Sequence, residues 1–157
     1  MAWTPGLVDF ASRGADPIFA IEDADENKHN VEALAAGGCQ IDLGGSSTEG
    51  VRSASWVEVP HARHVRINGT KTAGLTRQVT VRYRTNDAGT SVQWRFVNVV
   101  DDTDILATGT AIVATTLTLE TVAITPVVDG NRYRLEVIGG DADALIFAFG
   151  QVEMFDE

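Results

Sequence analysis

The chain has 157 residues, of which 44% are apolar and 22% charged, and its formal net charge is −10. This length suits one domain with a sizeable core. The negative charge disfavours nucleic-acid binding, and no apolar run approaches the roughly 20 residues of a membrane-spanning helix, so we expect neither nucleic acid nor membrane as a partner. The single cysteine, Cys39, excludes an internal disulfide.

The N-terminal residues lack the basic patch and apolar segment of a signal peptide. We therefore expect synthesis and folding in a cytoplasm.

Charge is divided into three blocks along the chain. Residues 1–50 carry −7, residues 51–100 carry +6 and residues 101–157 carry −9. Blocks of opposite sign attract one another, either within a subunit or between neighbours. The other interpretation, that the blocks interleave once folded, stays open.

The first fifty residues are predicted to form an N-terminal arm and a polar lead-in. Isolated apolar residues stand among glycines and polar residues without a helical or strand period, which is typical of an extended segment lying on another surface. The stretch from Gly44 to Gly50 has the composition of a flexible loop. The predicted contact residues of the arm are Trp3, Leu7, Val8 and Phe10.

The sequence of residues 51–157 predicts a series of strands separated by short turns. Gln78–Thr85 alternates strictly between apolar and polar residues, which predicts a half-buried strand. After Phe96 the apolar phase slips at Val97, which indicates a β-bulge or a strand that changes sheets. Further strands are predicted at 56–59, 63–67, 105–114, 117–125, around 133–137 and at 145–155.

These segments make about eight strands, and their connections are too short for parallel crossovers. Two antiparallel sheets follow, because a single sheet would leave an apolar face in water. The predicted fold is an all-β, jelly-roll-like antiparallel β-sandwich at 51–157, preceded by the arm.

No motif for catalysis or cofactor binding is present, so we expect neither an enzyme nor a cofactor. Glu58, His61 and His64 lie close together, but metal ligands on a strand need even spacing on one face, and Pro60 interrupts this one. No metal site is predicted. Pairs of aspartates fall in predicted turns, where Asp bonds its own backbone; a calcium ion at one of them is the alternative.

Four arginines alternate outward on two predicted strands: Arg82 and Arg84 on one, Arg132 and Arg134 on the other. If these strands are neighbours, the arginines form a basic stripe that fits an acidic partner surface, such as the arm of a neighbouring subunit. A solvated face paired with acids is the alternative. Trp94 and Tyr83 lie in the inward phase and are expected in the core.

An arm, a disulfide-free β-sandwich, segmented charge and the lack of an active site together resemble the capsid decoration, or head-stabilising, proteins of tailed bacteriophages. The resemblance covers the arm at 1–50 and the sandwich at 51–157. It implies a homo-oligomer, often a trimer, on the capsid surface of a virion, bound to the major capsid protein and bridging its subunits.

A second resemblance is to jelly-roll carbohydrate-binding or host-recognition modules. It is carried by the repeated strands and by the closing segment at 149–154. This alternative implies a carbohydrate partner, bound by exposed aromatic rings in a groove.

Overall fold

The computed structural model describes residues 38–124 and 127–155. These parts of the chain contain no helix, and therefore none that could cross a membrane. They form nine strands: β1 (Gly38–Arg52), β2 (Val57–Glu58), β3 (Val65–Arg66), β4 (Thr76–Thr85), β5 (Val92–Asn98), β6 (Ile105–Thr108), β7 (Thr118–Ala123), β8 (Arg132–Gly139) and β9 (Leu145–Phe155).

The strands form two antiparallel sheets. The four-stranded sheet has the order β1-β9-β4-β7, and the five-stranded sheet has the order β2-β8-β5-β6, with β3 also paired to β8. β2 and β3 are two short pieces along the same edge of β8, so the nine strands occupy eight positions. This is the arrangement of a jelly roll, and the predicted all-β antiparallel sandwich is confirmed.

The core lies between the sheets and is built from the inward phase of each strand. Period two places alternate side chains of a strand on one face. The four-stranded sheet contributes Leu43, Val79, Val81, Tyr83, Ile146, Ala148 and Val152, and the five-stranded sheet contributes Val92, Trp94, Phe96, Tyr133, Leu135 and Val137. The predicted inward placement of Tyr83 and Trp94 is confirmed, because both side chains are fully buried.

The apolar phase slip after Phe96 coincides with a register shift between β5 and β6. The extra residue, Leu106, lies in β6, because Ala107 pairs with Phe96 and Ile105 pairs with Val97. β5 itself pairs with β8 without a break from Val92 to Asn98, so Val97 keeps the outward phase of its strand, and its side chain is buried there. A bulge is therefore present at this point, but in β6 and not in β5, where the slip had predicted it.

β6 ends at Thr108, well before the predicted Ala114, because the chain meets Trp94 at Gly109. The amide of Gly109 donates to the carbonyl of Trp94 at 2.9 Å. A Cβ at position 109 would overlap the indole ring of Trp94. Only glycine lets the backbone pass this close to the ring.

We expect Gly109→Ala to lower the free energy of unfolding by about 1–3 kcal/mol, the usual cost of overpacking a core. Chemical denaturation with tryptophan fluorescence measures this. Gly89→Ala is the control, since its Cβ would meet only the far end of a side chain, at 3.4 Å from Asp87 Oδ1. An equal effect of the two substitutions would contradict the assignment.

The prediction of a flexible loop at Gly44–Gly50 is wrong for residues 44–46, which lie within β1 and pair with β9. Residues 47–50 have no partner in this register and lie in the interruption between Ser46 and Val51. The pairing of β1 with β9 is interrupted by two register shifts, one between Asp42 and Gly44 and one between Ser46 and Val51. Gly44 and Gly45 have φ of +72° and +97°, which only glycine adopts without strain. The sandwich therefore includes 38–50, which the sequence had assigned to the lead-in.

Candidate interaction surfaces

The outer face of the four-stranded sheet brings arginine and phenylalanine side chains together. In the register of β4 with β9, Arg82 lies opposite Phe149 and Arg84 opposite Phe147. The guanidinium carbon of Arg84 lies 4.0 Å from the centre of the Phe147 ring, and that of Arg82 lies 5.9 Å from the Phe149 ring. These four residues are called the Arg–Phe face below.

Charge on the Arg–Phe face is uncompensated by acids. Within residues 38–124 and 127–155, neither Arg82 nor Arg84 takes part in an ion pair. Among the described residues, Arg84 donates a hydrogen bond only to the carbonyl of Ser47, at 3.3 Å, and Arg82 is exposed. Stacking on the rings holds the guanidinium groups in place while their N–H edges stay available.

The other predicted pair of arginines lies elsewhere. Arg132 and Arg134 belong to β8 in the five-stranded sheet, and β8 does not neighbour β4. The four arginines therefore do not form one basic stripe, because β4 and β8 lie in different sheets. Whether either pair binds a partner stays a prediction.

Arg134 belongs to a cluster of ionic groups on the outer face of the five-stranded sheet. Its Nε donates to Oε1 of Glu136 at 2.7 Å, and Arg95 Nε donates to Oε2 of the same carboxylate at 2.7 Å. Asp102 lies at the rim, 3.1 Å from Arg134 and 3.8 Å from Arg95. The Arg95 guanidinium also lies 4.6 Å from the centre of the Trp56 ring.

This cluster is closed to solvent at its centre. The side chain of Glu136 is 3% exposed and that of Arg95 is 10% exposed, whereas Asp102 at the rim is 62% exposed. Two arginines and two acids balance one another, so the cluster has no spare charge for a ligand. Its arrangement is that of a structural ion-pair network.

A second, partly buried carboxylate, which the sequence analysis missed, lies at the inner side of β7. Glu120 Oε2 accepts hydrogen bonds from Tyr83 Oη at 2.7 Å and from Trp94 Nε1 at 2.9 Å. Its Oε1 accepts from Thr110 Oγ1 at 2.7 Å, and the Thr110 amide lies 3.0 Å from both oxygens. In the sequence, an acidic residue at an inward position of the strand could have indicated this carboxylate. In the structure, that position lies opposite Val81 of β4.

Burial alone would raise the pKa of Glu120. The hydrogen bonds from Tyr83, Thr110 and Trp94 outweigh burial and lower this pKa below its usual value. The pKa of Tyr83 is raised, first by burial of the phenol and then by its hydrogen bond to the Glu120 carboxylate. Glu120 is therefore ionised at neutral pH and joins β7 and Thr110 to the core.

The histidines in the described part of the chain, His61 and His64, do not converge on a metal site. Glu58 lies 3.0 Å from His64, and Glu49 is the partner of His61. In the part of the chain that the structure describes, no three His, Cys, Asp or Glu side chains are grouped to hold a metal. The arm residues Trp3, Leu7, Val8 and Phe10 lie outside the described residues, and their predicted contacts stay predictions.

Together, the strand order and the core define a jelly-roll β-sandwich. No protein-family model matches the sequence, and no curated protein matches it. Solved structures with a similar fold do exist.

Three of these structures illustrate the range. A structure of the infectious bursal disease virus Gx strain is 11% identical with a TM-score of 0.47, and the match covers 76% of this chain and 32% of the viral chain. The CBM36-1 domain of a multidomain xylanase from the hindgut metagenome of Trinervitermes trinervoides is 10% identical with a TM-score of 0.41, covering 76% of this chain and 98% of that domain. Bacillus endospore appendages, a family of disulfide-linked pili, give 12% identity and a TM-score of 0.39, covering 76% and 84%.

This chain thus spans about a third of the length of the viral chain. At these identities and scores the similarities extend only to a general β-sandwich shape, and such folds serve unrelated functions.

Proposed function

We propose that the protein is a structural virion protein that binds the outside of a phage capsid and stabilises it by bridging capsid subunits. Docking uses the Arg–Phe face of the sandwich together with the N-terminal arm. The proposal includes a homo-oligomer, the major capsid protein as partner, and no enzymatic activity.

The observation that supports this proposal is the uncompensated arginine pair on the Arg–Phe face. Arginine and aromatic residues are enriched among those that dominate binding energy at protein interfaces. The guanidinium groups of Arg82 and Arg84 are held over Phe149 and Phe147, so little side-chain entropy is lost when a partner binds them. A planar, bidentate fork of N–H donors fits a carboxylate. The partner surface expected here is therefore acidic.

The arm fits the same proposal through its sequence. Residues 1–37 carry seven acids and two bases, with Trp3, Leu7, Val8 and Phe10 among them. Apolar anchors on an extended segment suit contact with a neighbouring capsid subunit. The arm and the sandwich would then contact different subunits, which is what bridging requires.

We expect the chain to co-sediment with capsids in particles purified from the source culture, as measured by quantitative mass spectrometry of gradient fractions. Arg82→Glu combined with Arg84→Glu should lower capsid occupancy at least about tenfold, because charge reversal replaces attraction to an acidic surface by repulsion. Arg66→Glu is the control, an exposed arginine on β3 of the other sheet, and should leave occupancy unchanged.

Recovery of the chain only in soluble fractions would overturn the proposal. Equal loss in the control variant would show that general charge, and not the Arg–Phe face, attaches the protein.

The carbohydrate-binding alternative is tested separately, on a glycan array. Sugar recognition needs a ring face open to solvent, and Trp56 has Arg95 stacked on its ring at 4.6 Å. Among the described residues, the large apolar side chains that are well exposed are all aliphatic. Specific glycan binding that is lost in Trp56→Ala would favour this alternative over the capsid proposal.

A further inference from the structure

The free edge of β7 is the one long strand edge in the described sandwich without a protective device. Exposed edges invite pairing with another chain, and proteins usually shield them by brevity, bulges, charge or a covering segment. β6 has four residues, and β2 and β3 have two each. β1 is bulged twice, and residues 61–63 bond to its outer side, with the Arg63 amide 2.8 Å from the carbonyl of Leu43.

β7, by contrast, pairs with β4 in an unbroken register over six residues. Its other side has no strand neighbour among the residues that the structure describes. Its outward residues, Leu119, Thr121 and Ala123, are all exposed and uncharged, and the strand contains no proline.

One hydrogen bond shows which backbone N–H and C=O groups of β7 point to its free edge. The Ile124 amide donates to the carbonyl of Arg77 at 3.0 Å, one step beyond the pairing of Gln78 with Ala123. Hydrogen-bonded and non-hydrogen-bonded pairs alternate along an antiparallel ladder. Thr118, Glu120 and Val122 therefore bond to β4, while the N–H and C=O groups of Leu119, Thr121 and Ala123 point to the free edge.

Side chains agree with this assignment. The hydroxyls of Thr80 and Thr121 lie 3.0 Å apart, as expected for a non-hydrogen-bonded pair, where opposite side chains are closest.

We propose that two copies of this chain associate by antiparallel pairing of β7 with β7, which joins their four-stranded sheets into one of eight strands. A twofold axis makes such pairing self-complementary, since each free donor of one copy meets a free acceptor of the other. This interface uses the edge of the sheet and leaves the Arg–Phe face, on which the proposed function depends, uncovered.

Charge favours a second copy as the occupant of this edge. Two chains of net charge −10 repel at most contacts, but the exposed residues of β7 are neutral. The Arg82 side chains of the two copies would be three strand spacings apart, about 14 Å, which exceeds the Debye length of about 10 Å at 0.1 M salt.

The single acid of β7 does not oppose the pairing. Glu120 points inward and is held by Tyr83 and Trp94. Pairing centred on Leu119 or Thr121 places it opposite Thr118 or Val122 of the second copy and not opposite the second Glu120. Leu119, 54% exposed, gains an apolar neighbour across the new interface.

The first test is molar mass by light scattering over a wide range of protein concentration. We expect a dimer of twice 16.8 kDa. Leu119→Lys places charge on the edge and should raise the dimer dissociation constant about tenfold or more. Val100→Lys is the control, since Val100 is 92% exposed but lies beyond the end of β5, and it should stay dimeric.

Amide hydrogen exchange supplies the second test. It is measured in the wild type and in Leu119→Lys, which changes an exposed residue. In the wild type the amides of Thr121 and Ala123 should be protected, and in Leu119→Lys they should exchange freely while those of Glu120 and Val122 stay protected by β4. A monomer or a trimer of the wild type, a dimer unaffected by Leu119→Lys, or free exchange at Thr121 in the wild-type dimer would each overturn the proposal.

Discussion

Replacing Glu136 by alanine should lower the free energy of unfolding by about 3–5 kcal/mol, the cost of leaving buried charges without their partner. Glu136 bonds Arg95 and Arg134 at once, and its side chain is only 3% exposed. A change of this size in a chain of this length should lower the melting temperature by roughly 10 °C. Thermal unfolding followed by circular dichroism measures it.

Asp102→Ala is the matched control for this prediction. Asp102 contacts the same two arginines but is 62% exposed, and exposed ion pairs contribute about 0–1 kcal/mol. Combining Glu136→Leu with Arg95→Met should restore part of the lost stability, because the pair is then removed together. An effect of Asp102→Ala as large as that of Glu136→Ala would show that burial does not decide the cost.

Replacing Glu120 by alanine should lower the free energy of unfolding by about 2–4 kcal/mol. The Trp94 indole N–H and the Thr110 amide both donate to this carboxylate and would lose their acceptor, and hydrogen bonds to a charged group are among the stronger ones. Tyr83 keeps the carbonyl of Thr110 at 2.8 Å. Glu49→Ala, whose side chain is 66% exposed, is the control and should change stability little.

The same carboxylate gives the protein a defined pH dependence. Because the folded-state pKa of Glu120 is lowered from 4.5, its contribution to stability is fully present above that value and is lost as the pH falls through the lowered folded pKa. The difference in unfolding free energy between the wild type and Glu120→Gln should therefore be constant near neutral pH and shrink in acid. Denaturant titrations at several pH values measure it, and a difference that grows in acid would contradict the assignment.

Glu120 shows what the sequence could and could not reveal. Glu120 occupies an inward position of its strand, where the alternation of apolar and polar residues predicts an apolar side chain. From the sequence alone it therefore looks like a break in that alternation. The structure resolves this apparent break, since three donors from β4, β5 and the segment after β6 surround the carboxylate. These donors are distant in sequence, and no local pattern brings them together.

For β1, the prediction from the sequence was also wrong. A stretch rich in glycine and serine has low strand propensity, yet it forms the edge of the four-stranded sheet by pairing with β9. The glycines that suggested a loop instead allow the positive φ values of a bulge. Tertiary pairing overrode local composition here.

By itself, the sequence determined the all-β class and the inward faces of β4, β5 and β8, because period two and turn residues act over a few neighbouring positions. Only the tertiary structure decided that Arg82 and Arg134 lie on different sheets, that Glu136 is buried and Glu120 partly buried with their partners, and that β7 has a free edge. Strand order follows from pairings between distant segments, and their register depends on the packing of the whole core rather than on any local residue pattern.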